Sequence, residues 1–160
     1  MAKRIPAFVI RLVALAAAVT ATVVMVTSRD SAAVLNLEFD AKYNNSPKFK
    51  YYVAVNIIAS AYSLVVLFLP SKSSLWLFIL VSDLVIMSLL DSGISGALAI
   101  GYVGKKGNPH AGWLPICDQV AKFCDHVTGS LVSGFVAVII YFLLLLYSLH
   151  NVINLLAVKV

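Results

Sequence analysis

Residues Leu75 to Val103 read LWLFILVSDLVIMSLLDSGISGALAIGYV, an apolar run whose charges are Asp83 and Asp91 alone. It exceeds the roughly 20 apolar residues that a helix needs to cross a ~30 Å hydrocarbon core. Nothing in it alternates as the ~10-residue strands of a membrane barrel do. A helix is the form that remains, because an unpaired backbone group in lipid costs several kcal/mol. Three further runs flank it: Ala7 to Thr27, broken only by Arg11; Tyr51 to Leu69, ending at Pro70; and Thr128 to Leu149. The expected fold is an all-α bundle of four transmembrane helices, one domain over residues 1–160, with spans at 7–27, 51–69, 75–103 and 128–149. Four spans place both termini on one side.

The composition agrees with lipid as the solvent. Over the 160 residues, 61% are apolar and 12% charged, and the mean hydropathy is +0.96. Soluble domains hold roughly 45–50% apolar and about 25% charged residues. A disordered chain, a collagen-like chain and a conventional cytosolic enzyme are excluded. Lys3, Arg4 and the run Ala16-Ala17-Ala18 imitate a signal peptide. The apolar run continues past them to Val26 with Arg11 inside it, which suits a retained helix better.

Three connections remain: a polar loop over 28–50, a tight turn over Ser71–Ser74 with Lys72, and a Gly- and Pro-rich loop over 104–127 holding both cysteines. The tail beyond His150 is still apolar and is expected to prolong the fourth helix.

Two orientation rules conflict here. Arg29, Lys42, Lys48, Lys50, Lys105, Lys106 and Lys122 lie in the two larger loops, against Lys3, Arg4, Lys72 and Lys159 on the terminal side. A plain count of positive charges would put the termini outside. Cys117 and Cys124 oppose it, because two loop cysteines pair most simply in an oxidising compartment. Lys3 and Arg4 also abut the first span directly. Termini in the cytosol, with both larger loops outside, are the preferred arrangement. The cysteine pair itself has three readings: a disulfide, two free thiols, or half a zinc site recruiting His110 and His126. The spacing matches no common structural-zinc pattern. Asn44-Asn45-Ser46 is a weak glycosylation sequon at Asn44, with Pro47 directly behind it.

The ionisable residues inside the spans carry the most information. A charge at mid-helix costs roughly 2.5–3.5 kcal/mol and normally turns inward to a partner. At 1.5 Å per residue, Arg11 lies ~6 Å and Asp83 ~12 Å below the same interface, so the two can pair. Asp91 lies ~12 Å deeper than Asp83 and 80° round the helix, beyond the reach of Arg11. It would face a polar neighbour such as Asn56 or Ser133, or keep its proton. Three roles compete for these charges: a structural lock between two helices, an ion or proton path through Asp83 and Asp91, and simple snorkelling of Arg11. A path would need more polar residues through the depth of the spans than this reading finds.

The third span also carries two rows of small residues, Ser88-Ser92-Gly96 and Gly93-Ala97-Gly101. Such rows let helices approach closely where packing replaces the hydrophobic drive. The fourth span offers Ser130 and Gly134, and the first Ala14, Ala18 and Thr22. Most of this surface should close the bundle, with some left for contacts between copies. No catalytic, metal-binding or cofactor-binding motif is present: HExxH, the P-loop, the dinucleotide fingerprint and the nucleophile elbow are all missing. The net charge of +5 comes largely from loop lysines beside the membrane, with no basic stripe interleaved with aromatics to suggest nucleic acid.

The second large loop, GKKGNPHAGWLPICDQVAKFCD from Gly104 to Asp125, resembles the plant Casparian strip membrane domain proteins of the CASP-like group. So do FKYYVAVN from Phe49 to Asn56, the four-span layout, and an Arg in the first span with an Asp in the third. The resemblance implies a MARVEL-like four-helix fold, a plasma-membrane location and both termini in the cytosol. It implies a non-enzymatic scaffold that assembles as homo- or hetero-oligomers and recruits extracellular wall-modifying enzymes. Two departures stand out. The first loop lacks the aromatic-rich signature of the strip-forming members, which points away from the strip itself. Asp91 falls where a small or apolar residue is expected. The rival function is a small transporter or channel using Asp83 and Asp91 as a polar path.

Overall fold

The computed structural model describes residues 4–34, 37–69 and 75–159. The tight turn Ser71–Ser74, with Lys72, lies outside the described residues, as does Lys3. Four helices are long and apolar enough to cross a membrane: α1 (Arg4–Val26), α2 (Pro47–Phe68), α3 (Trp76–Lys106) and α4 (Ala121–Lys159). α1 packs between α2 and α4, and α3 packs between the same two from the opposite side, so the helices form a closed ring. Large apolar side chains such as Val13, Val65, Phe78 and Val132 remain exposed around it. That outward surface suits lipid, and the fold is an all-α four-span membrane protein.

The inward face of each helix follows from its spacing. On α1, Ala14, Ala18, Ala21 and Met25 are fully buried, at steps of four, three and four residues. The three alanines let α1 lie close to its neighbours, where dispersion contacts must hold a bundle that lipid does not squeeze together. The core has two apolar clusters. One, toward the α1 C-terminus, centres on Met25, Phe49, Ile94, Phe123 and Leu131. The other centres on Val55, Ile86, Leu90, Tyr141 and Leu144.

Two helices begin earlier than their apolar runs. α2 starts at Pro47 rather than Tyr51, with Pro at the first helical position, where its missing N–H costs nothing. α4 starts at Ala121 rather than Thr128. The added turns are polar on one side only. Phe49 and Phe123 are buried and meet edge to face with ring centroids 6.2 Å apart. Counting apolar residues finds the hydrocarbon boundary, and a helix can continue past it while one stripe still packs. α4 also prolongs to Lys159, as the apolar tail suggests.

The segment read as a polar loop over 28–50 holds a hairpin. β1 (Arg29–Val34) pairs antiparallel with β2 (Leu37–Lys42) in the register Arg29 to Lys42 through Val34 to Leu37. A 3-10 turn over Tyr43–Asn45 leads into α2, and Asn44 is exposed on it. The second loop folds back over the end of α3. Gly107 adopts φ +69°, and a Cβ there would sit 2.6 Å from the Trp113 carbonyl oxygen. Asn108 and Trp113 then exchange backbone hydrogen bonds at 2.8 and 3.0 Å, and the Ile116 N–H reaches the Gly104 carbonyl at 2.9 Å.

Candidate functional site

Asp83 projects from α3 into the middle of the bundle and is fully buried. Arg11 of α1 donates through Nη2 to both carboxylate oxygens, at 3.0 and 2.8 Å. Tyr62 of α2 donates its hydroxyl to Oδ1 at 2.6 Å, and Ser148 of α4 donates to Oδ2 at 2.8 Å. The Arg11 guanidinium carbon also lies 5.7 Å from the Tyr62 ring centroid, within cation–π range. One residue from each helix therefore meets at a single carboxylate. Arg11 is 6% exposed and its Nη1 has no partner. Arg11 and Asp83 pair as their depths below one interface suggest, the Arg side chain spanning the offset, whereas Tyr62 and Ser148 carry no charge to be matched.

Above this cluster the core holds further polar layers. The Tyr141 hydroxyl donates to the Ala59 carbonyl at 2.7 Å and lies 2.6 Å from the Ser63 hydroxyl. Higher still, Tyr52 donates to the Ser130 carbonyl at 2.8 Å, and the Ser130 hydroxyl reaches the Ala21 carbonyl at 2.6 Å. Ser28, two residues beyond α1, donates to the Phe123 carbonyl at 3.3 Å. The spans are thus richer in buried polar groups than the sequence reading allowed, because tyrosines carry hydroxyls into an apolar interior. The bonds of Tyr52, Tyr141 and Ser130 each join two helices, and each is worth about 0.6 kcal/mol on average in a membrane. Gly134 makes room for the Tyr52 ring, whose Cε2 and Cζ lie 3.1 Å from where a Cβ would stand. Asn56, offered as a neighbour for Asp91, is instead buried beside Tyr52, donating to its carbonyl at 2.9 Å with Oδ1 unpartnered.

The two small-residue rows of α3 divide. Gly93 and Ala97 are buried, and Gly101 is half-buried against Leu131. This row closes the bundle. Ser88 and Ser92 are exposed, as is Asp91 between them, while Gly96 is half-buried beside the Lys48 stem. The expectation that Asp91 turns toward Asn56 or Ser133 is therefore corrected. A step of 80° from Asp83 carries it off the inward stripe and onto the outer surface. A carboxyl there costs roughly 2.5–3.5 kcal/mol if it faces lipid.

Cys117 and Cys124 form a disulfide across seven positions, which leaves no thiolate for the zinc site weighed with His110 and His126. Among the described residues, no group of three His, Cys, Asp or Glu side chains could hold a metal. His126 is half-buried at the start of α4 with Nδ1 unpartnered. A cleft of about 590 Å³ lies between the ends of α3 and α4, with Leu131 and Phe135 on its apolar wall and Lys105 and Lys106 on its lining.

The Casparian strip membrane protein domain matches residues 1–140. The chain is 54% identical to CASP-like protein 1C1 of Arabidopsis thaliana, over 96% of this chain and 94% of the relative. It is 56% identical to CASP-like protein 1C1 of Vitis vinifera, over 95% of this chain and 96% of the relative. Against CASP-like protein 1C2 of Ricinus communis the identity is 57%, over 95% and 93%. No solved structure matches the chain. A domain match across most of its length, with relatives more than half identical from end to end, makes this chain a member of the Casparian strip membrane protein domain family.

Proposed function

We propose that the protein is a non-enzymatic scaffold of the plasma membrane, with both termini in the cytosol. It self-associates or co-assembles with related four-span proteins into membrane domains that organise local modification of the cell wall. The carrying observation is the closure of its intramembrane chemistry. Asp83 is filled by donors from the three other helices, at 2.6 to 3.0 Å, which makes it a lock. A carboxylate so saturated holds helices in register and has no free lone pair aimed at a passing ion. The rival transporter reading needs Asp83 and Asp91 on one path, but the first is enclosed and the second faces outward. The disulfide pins the loop between α3 and α4, which on this orientation is the surface offered to the wall. The matching family is described as a Casparian strip membrane protein domain, and that description supports membrane-domain organisation as the task.

Cross-linking in native membranes followed by blue-native electrophoresis tests the reading. Ladders of two or more copies, alone or with related chains, are expected. A species that stays monomeric at natural expression level would overturn it.

A further inference from the structure

We propose that α3 carries a self-complementary contact face centred on Asp91, and that its occupant is the same face of a second copy of this chain. This rests on the self-association reading and adds where the copies meet. Leu84, Ser88, Asp91, Ser95, Leu98 and Tyr102 are all exposed and follow one another at steps of four, three, four, three and four residues. That spacing keeps them on one seam of a helix that pairs at a shallow left-handed crossing, the commonest geometry in membranes. The seam is polar at its centre and apolar at both ends.

Depth decides the occupant. α3 runs from Trp76 to Lys106, so Asp91 is its midpoint. Asp83, eight residues before it, bonds Ser148, and Gly101, ten residues after it, packs against Leu131, which sets Asp91 between levels near the two ends of the apolar run of α4. Among the described residues Asp91 has no hydrogen bond or ion pair, and Lys48, whose stem lies against Gly96, makes none with it. A carboxyl at that level needs donors at that level. The exposed Thr20 hydroxyl donates to the Ala16 carbonyl and half-buried Ser60 to the Asn56 carbonyl, each within its own helix. Ser92 and Ser95 are exposed, beside Asp91, and make no hydrogen bond among the described residues. Two copies inserted with the same topology bring equal depths together. A two-fold axis along the membrane normal then sets each Asp91 against the partner's serines, and the small Ser88 and Ser92 side chains allow the close approach.

The test uses the full chain in liposomes, with energy transfer between donor- and acceptor-labelled copies. Asp91→Leu removes the polar group from a lipid-exposed position, so the monomer still folds. Its association should weaken roughly tenfold, the effect of losing interhelical hydrogen bonds at a symmetric contact. Asp91→Asn, which keeps the hydrogen bonding, should retain it. Because both native cysteines are joined, an introduced thiol is unambiguous. Ser95→Cys should give an oxidant-dependent dimer, and Val136→Cys on exposed α4 should not. Undiminished association of Asp91→Leu, or cross-linking at 136 and not at 95, overturns this interface and leaves self-association standing. A wild-type chain that shows no energy transfer overturns both.

Discussion

Replacing Asp83 with Ala removes the one acceptor shared by Arg11, Tyr62 and Ser148. Arg11, 6% exposed, is then a buried cation with no counter-ion. Breaking a buried pair from one side costs about 3–5 kcal/mol. The two stranded hydroxyls lose roughly 1 kcal/mol more between them, at the average for hydrogen bonds inside membranes. Arg11 lies near the N-terminal end of α1 and can snorkel toward the phosphates, which returns part of this. The expected loss is therefore about 4–5 kcal/mol, a large share of the roughly 5–15 kcal/mol that holds a domain folded. Arg11→Met should lose somewhat less, because Tyr62 and Ser148 still solvate the carboxylate. Arg11→Met with Asp83→Leu removes both charges and should recover most of the loss, since a buried pair exchanged for apolar residues is often neutral. Exchanging the charges, Arg11→Asp with Asp83→Arg, should recover part of it, because hydroxyls accept from a guanidinium as readily as they donate to a carboxylate. The assay is unfolding of the purified chain in bicelles by sodium dodecyl sulfate, followed by the fluorescence of Trp76 and Trp113. Single variants within about 1 kcal/mol of wild type, or a double variant equal to the sum of the singles, would refute the lock.

Gly134→Val should drive a side chain into the Tyr52 ring and break its bond to the Ser130 carbonyl, costing about 1–3 kcal/mol in the same assay; an unchanged midpoint counts against this close packing. Cys117→Ser with Cys124→Ser should cost about 2–3 kcal/mol by freeing the short loop. Without reductant, the wild-type protein should take up no alkylating reagent at either thiol, and mass spectrometry reads this directly. For orientation, a cysteine placed at Lys122 should react with an impermeant maleimide on intact cells, and one placed at Lys159 should not. The reverse pattern would put the termini outside.

How much of this was legible in the sequence depends on which physical signal each part leaves. The four spans are legible because lipid demands long apolar runs, and the Arg11–Asp83 contact because depth along a helix is simple arithmetic. The roles of Tyr62 and Ser148 are not, since an uncharged hydroxyl looks the same whether it faces a carboxylate or its own backbone. The hairpin is hidden because RDSAAV and LEFDAK are too short and mixed to alternate convincingly. The early start of α4 is hidden because Lys122 and Asp125 mark the end of lipid, not the end of the helix. Asp91 shows the sharpest limit. Its angle from Asp83 is readable, but which neighbours lie at that angle is decided by the packing of α2 and α4.

The state of assembly in a living membrane bears most directly on the proposed scaffold. Counting photobleaching steps of the fluorescently tagged chain at native level, while tracking its diffusion in the plasma membrane, measures it. A scaffold of self-associating copies shows slow, confined spots that bleach in several steps. Freely diffusing spots that bleach in one step would contradict it.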